Sequence, residues 1–253
     1  MKSIPSTCKL TFAGLCLAAA YGAAAQVNSG SAAFQNISIT GDPAINSDIL
    51  HTRLYNDYPG ATLATVNNYA SLVSFSEGNV VAPSGFANRD DWRFSSDGGL
   101  TDHLFQNNEY WSVSLSLTLT GTPASPRKEA GFRLDSSVGG DGLFILDTDA
   151  HEIVAFGGAL PFYSFGSTFN SGDTVLMGMT YENVGGQNGI VYSANGVDSP
   201  FLPMSNTELG VINGSTLGGY FMIQGVVPTP EPTTLALAGL GGLGMLWQLR
   251  RRK

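Results

Sequence analysis

The stretch "YWSVSLSLTLT", Tyr110 to Thr120, alternates without a break. Trp111, Val113, Leu115, Leu117 and Leu119 share one face of an extended chain, and Ser112, Ser114, Ser116 and Thr118 share the other. Successive side chains of a strand point to opposite faces, so the pattern predicts a long strand over a one-sided core. Shorter runs of the same kind occur at 34–40, 69–76, 130–136, 142–148, 152–158, 173–182, 189–194 and 218–227. Turn-forming clusters punctuate them: "GDP", "YPG", "DGG", "GGDG", "SGD", "GGQNG" and "ANG". No long helical periodicity interrupts residues 27 to 227, and no repeat with a period of 20–50 residues suggests a solenoid or propeller.

Composition agrees with many turns and few solvated helices, since the chain has 32 glycines and only 13% charged residues. The expected fold class is all-β, an antiparallel β-sandwich of jelly-roll type spanning 34–225. A flexible lead-in is expected at 26–33, and a stiff proline spacer at 226–232. In size and turn pattern the sandwich resembles the concanavalin-like lectins and glucanases, a likeness of architecture that does not fix an activity.

The two ends read differently from the body. Residues 1–25 have the layout of a secretory signal, with Lys2 and Lys9 before an apolar run from Leu10 to Ala20. Ala23 and Ala25 form an A-x-A site, predicting cleavage before Gln26 by signal peptidase after passage through the general secretion machinery. Leu15 before Cys16 excludes a lipoprotein signal. Cys8 and Cys16 both lie in this segment, so the body must be stabilised without disulfides or thiolate-bound zinc. A core built from roughly 200 residues suffices for that.

With both ends removed, six basic and 19 acidic residues remain, a charge of about −13. Such a field repels phosphate backbones and excludes nucleic acid as a partner.

At the other end, Thr233 to Leu249 is 17 residues without a charge, followed by Arg250, Arg251, Arg252 and Lys253. That is long enough for a transmembrane helix at 233–249, with the basic tail at 250–253 held on the cytoplasmic side of the inner membrane. Pro230, Glu231 and Pro232 stand just before it. This triplet, helix and basic end resemble the PEP-CTERM sorting signal of Gram-negative bacteria. The resemblance implies recognition by a membrane-embedded exosortase, cleavage near the triplet, and delivery to the cell surface or extracellular matrix. Other C-terminal signals likewise lose their hydrophobic tail. Within the tail, "GLGGLG" at 239–244 matches a dinucleotide-binding pattern but lacks the strand and βαβ context that such a site requires.

Catalytic vocabulary is sparse. In "FILDTDAHE", Asp147, Asp149 and Glu152 copy the spacing of the Glu-x-Asp-x-x-Glu motif that laminarinase-type glycoside hydrolases carry on one strand. The shorter Asp147 stands in the nucleophile's place, and the usual tryptophan-rich surroundings are missing. Solvated acids entering a turn are the plainer reading. Asp141, Asp147, Asp149 and Glu152 also offer hard oxygens for calcium, without EF-hand spacing. His51, His103 and His151 stand far apart, and neither H-E-x-x-H nor G-x-S-x-G occurs. No catalytic residue and no cofactor is assigned.

Aromatic residues supply the remaining handle. Trp92, Tyr110, Trp111, Phe162, Tyr163 and Phe165 include candidates for a sugar-stacking platform, with Trp92 and Tyr110 preferred for their polar neighbours and Trp111 assigned to the core. The expectation is a non-enzymatic surface or matrix protein that is structural, adhesive or polysaccharide-binding. The alternative is a secreted carbohydrate-active enzyme with the same sorting tag.

Overall fold

The computed structural model describes residues 28–39, 48–56, 62–69, 71–78, 87–120, 127–148, 150–204 and 211–224. The expected signal segment with Ala23, Ala25 and Gln26, the spacer with its Pro230–Glu231–Pro232 triplet, the 233–249 helix and the 250–253 tail lie outside these residues. Among the described residues no helix is long and apolar enough to cross a membrane.

Regular structure within the described residues is all strand: β1 (Asn28–Ile39), β2 (Asp48–Asn56), β3 (Thr62–Asn68), β4 (Leu72–Gly78), β5 (Ala87–Ser95), β6 (Trp111–Thr120), β7 (Lys128–Ser136), β8 (Gly140–Asp147), β9 (Glu152–Gly157), β10 (Tyr163–Ser167), β11 (Thr174–Val184), β12 (Gln187–Ala194), β13 (Val197–Asp198), β14 (Leu202–Pro203) and β15 (Thr216–Gln224). Sheet A runs β13-β12-β11-β6-β1-β4-β3, with β14 also pairing β12, and sheet B runs β10-β9-β8-β7-β15-β5-β2. Every strand pairing is antiparallel.

The alternation of β6 is realised as read, with Trp111, Val113, Leu115, Leu117 and Leu119 all buried. On its outer face Ser112 and Thr180 share a hydrogen bond of 2.9 Å, and Thr118 and Thr174 one of 2.7 Å. Facing this row across the sandwich are Phe132 and Leu134 of β7, Phe144 and Leu146 of β8, and Leu217 and Phe221 of β15. Phe144 joins the sheets, stacking near Phe132 at 6.3 Å between centroids and meeting Tyr192 of β12 at 4.9 Å. Tight turns close the meanders: Gly185 and Gly186 between β11 and β12, and Asn195 and Gly196 between β12 and β13, all have positive φ. That backbone matches the right-handed twist of a hairpin.

Two readings of the sequence need correction. The lead-in expected at 26–33 is strand from Asn28 onward, because Ser29–Ala33 pair with Thr120–Ser116 of β6 and the same segment pairs with β4. Neighbours on both sides supply the backbone bonds that "NSGSAA" does not advertise in its side chains. Trp92, preferred as a surface platform, lies 3% exposed in the core, edge-on to Phe94 at 5.7 Å and to Phe132 at 6.4 Å. Asp91 and Arg93, on either side of it, face the other side of β5.

Because Phe144 bridges both sheets, Phe144→Ala should remove about 3–5 kcal/mol of stability. The check is a urea unfolding curve, whose midpoint should fall without a change of slope.

Candidate functional site

The β8–β9 hairpin builds a cleft on the outer face of sheet B. Cross-strand pairs Leu143–Phe156, Ile145–Val154 and Asp147–Glu152 set its register. Ile145, Val154 and Ala87 form a small outer apolar cluster, with Leu143 and Phe156 packed against it. A cleft of about 450 Å³ opens at the Asp147 end, lined by Arg127, Asp147, Ala150, Glu152, Val154, Phe156 and Phe162. Ligand clefts of small molecules span about 300–1,000 Å³.

The polar groups of this cleft are preset by bonds to their neighbours. Arg127 bonds Asp147 at 2.9 Å and also contacts Glu129. Asp147 accepts from the Ala150 N–H at 3.1 Å, and Glu152 accepts from the Ser164 hydroxyl at 2.8 Å. Phe162 stands above, 70% exposed. Its loop is anchored from sheet A, where the Tyr192 hydroxyl donates to the Pro161 carbonyl at 2.9 Å. A second cavity of about 290 Å³ lies on the other side of Phe162, between 157–162 and Pro203, Met204 and Val211.

Further along the same face lies a lattice of opposite charges. Asp91 of β5 accepts from Arg89 Nε at 2.8 Å, Arg93 Nη2 at 3.3 Å and Arg133 Nη1 at 2.6 Å. Arg93 also reaches Asp102 at 3.0 Å, and Arg133 reaches Asp141 of β8 at 2.7 Å. Gly218 of β15 sits in register between Arg93 and Arg133. A Cβ there would meet the Trp92 carbonyl oxygen at 1.9 Å. The bare backbone at this point lets charges from β5 and β7 meet across the strand between them. Burial alone would lower the pKa of Arg133, but Asp91, Asp141 and Asp135 outweigh it and raise the pKa.

The acids considered for calcium do not converge. Asp141 and Asp147 occupy opposite ends of β8, six positions or roughly 20 Å apart. Asp141 is tied to Arg133, Asp147 is 2% exposed and tied to Arg127, and Asp149 lies outside the described residues. Among the described residues no group of three or more His, Cys, Asp or Glu is placed to hold a metal ion. The glucanase-like motif is not carried on one strand: Asp147 ends β8 and Glu152 starts β9, and a turn containing His151 at φ 55° sets the two opposite each other as a cross-strand pair. Tyr110 is half-buried, its hydroxyl donating to Asn188 at 3.2 Å and its ring tilted against Tyr181 at 5.5 Å. Of the aromatic residues considered from sequence, Phe162 is the one most open to solvent.

The comparison that bears on identity concerns the end of the chain. Residues 228–252 match the family model described as the PEP-CTERM protein-sorting motif. The chain carries a PEP-CTERM protein-sorting motif. It is thus an exported protein of the Gram-negative type, with an exosortase as its processing partner at the membrane. The PEP-CTERM motif covers the triplet, the uncharged run and most of the basic tail, and leaves the sandwich outside the match. No curated protein and no solved structure matches the chain.

The charge lattice has a pH signature. Burial raises the pKa of Asp141, but the hydrogen bond and charge of Arg133, with Arg89 behind it, prevail and hold it below the usual carboxylate value. A lowered pKa gives stability that is present above the unfolded value near ~4 and is lost as pH falls through the folded one. Asp141→Asn should therefore lose less stability than the unmodified protein between about pH 5 and pH 3. Urea midpoints at the two pH values provide the comparison.

Proposed function

We propose that the protein works at the cell surface or in the extracellular matrix, released from the inner membrane by an exosortase. Its sandwich is a structural and adhesive unit that binds neutral extracellular polysaccharide in the cleft beside Phe162. The sorting motif supports the address. The observation that carries the binding role is the exposed Phe162 ring above a cleft whose polar groups are already fixed in place. Sugars combine apolar ring faces with hydroxyl groups, and an aromatic ring beside preset donors and acceptors answers both. Glu129, Asp147 and Glu152 outnumber Arg127 around the cleft, and the body is acidic as a whole. That balance favours neutral over anionic glycans. Two antiparallel sheets packed face to face also suit the concanavalin-like, jelly-roll architecture expected from the sequence.

Affinity electrophoresis through gels containing neutral β-glucan is the direct test. The protein should be retarded, and Phe162→Ala should weaken retention at least about tenfold while melting at the same temperature, since the ring is exposed. Free migration in every neutral polysaccharide would sink the binding role. In the alternative, a carbohydrate-active enzyme, Asp147 or Glu152 would carry the chemistry. Asp147→Asn and Glu152→Gln would then abolish release of reducing sugar.

The address has its own measurement, the intact mass of the protein recovered from the cell exterior. The expected species begins at Gln26 and ends near Pro230 to Pro232. A mass retaining 233–253 would make the tail a permanent anchor.

A further inference from the structure

We propose that the cavity on the far side of Phe162 is a second subsite of the candidate cleft, and that it takes an acyl-substituted sugar unit, N- or O-acetylated, of the same polysaccharide. The inference rests on the polysaccharide reading and deepens it. Phe162 lines both spaces, the cleft of about 450 Å³ on one side and the cavity of about 290 Å³ on the other. A ligand stacked on this ring therefore has groups within reach of each.

The two spaces differ in chemistry. The cleft presents Arg127, Asp147 and Glu152. Among the described residues, those lining the cavity carry no charge and no hydroxyl. Ala159, Leu160, Pro203, Met204 and Val211 supply apolar atoms, and Gly157 and Gly158 supply bare backbone.

Packing around the cavity keeps it open. A Cβ on Gly142 would lie 2.5 Å from Leu160 Cγ, and one on Gly139 would lie 2.6 Å from Val211 Cγ2. Leu160 and Val211 are thus buried in the gaps these glycines leave, and close-packed side chains of this kind do not relax into a neighbouring space. Phe162 is fixed through Pro161, whose carbonyl accepts from the Tyr192 hydroxyl, and Pro203 through the pairing of β14 with Gly189 of β12.

An apolar cavity beside a polar cleft selects among sugar substituents. A bare hydroxyl loses water there with no side chain to replace it, and an ammonium or carboxylate loses far more. An acetyl group brings a methyl to the apolar walls and no charge. One such group in a preformed apolar pocket changes affinity by about tenfold or more. An unsubstituted glycan gains from the cleft alone, whereas an acetylated one gains from both spaces.

Isothermal titration of the full chain with β-1,4-linked glucose oligomers, and with N-acetylated oligomers of the same linkage and length, is the test. The N-acetylated series should bind at least about tenfold more tightly. Pro203→Glu puts a charge on an exposed wall of the cavity, and should bring that ratio close to one with an unchanged melting temperature. Equal affinity of the two series overturns the second subsite and leaves the cleft standing, as does a preference that persists in a folded Pro203→Glu variant. If neither series binds, the polysaccharide reading falls and this inference falls with it.

Discussion

A carboxylate held by three guanidiniums is the constraint around which sheet B is arranged. Asp91 is 1% exposed, and its two oxygens receive Arg89, Arg93 and Arg133. Removing a single partner from such a site leaves an uncompensated buried charge, which is far more costly than the intact lattice is favourable. The arrangement therefore fixes which strands lie beside one another more than it adds stability. Arg133 reaches Asp91 only because β15 places Gly218 between β5 and β7, and Arg133 in turn holds Asp141 at the start of β8. The far end of β8 then delivers Asp147 to Arg127, at the mouth of the cleft. One outer face thus links the charge lattice to the cleft beside Phe162.

How much of this could be read from the sequence depends on how each strand uses its two faces. Strand β6 buries one face and wets the other, so period two exposes it at once, and β4, β7, β8, β9, β11, β12 and β15 give weaker versions of the same signal. Strand β5 does not alternate visibly. Trp92 and Phe94 enter the core while Arg89, Asp91 and Arg93 occupy the outer face, and both faces are largely buried. The charges hide the strand, and they also suggest a surface position for Trp92. Strand β3 fails for the opposite reason, since neither face is covered and nothing selects its residues by polarity. Of the candidate site, the acids and Phe162 are visible as residue types. Their grouping is not, because it depends on a turn that folds Glu152 back opposite Asp147 and on Tyr192 holding the Phe162 loop from the other sheet.

The position of β15 has a consequence for the order of events during export. It is the last of the described strands, yet it lies in the middle of sheet B, bonded to β7 on one side and β5 on the other. It ends at Gln224, six positions before Pro230. A chain that crosses a membrane from its N-terminus delivers this strand last. Without it, β2 with β5 and the run β7-β8-β9-β10 are separate ribbons, and Arg93 and Arg133 have no strand to align them. Long-range pairings of this kind form late because their loops must close first. Sheet B can therefore close only once β15, the last described strand before the sorting motif, is in place.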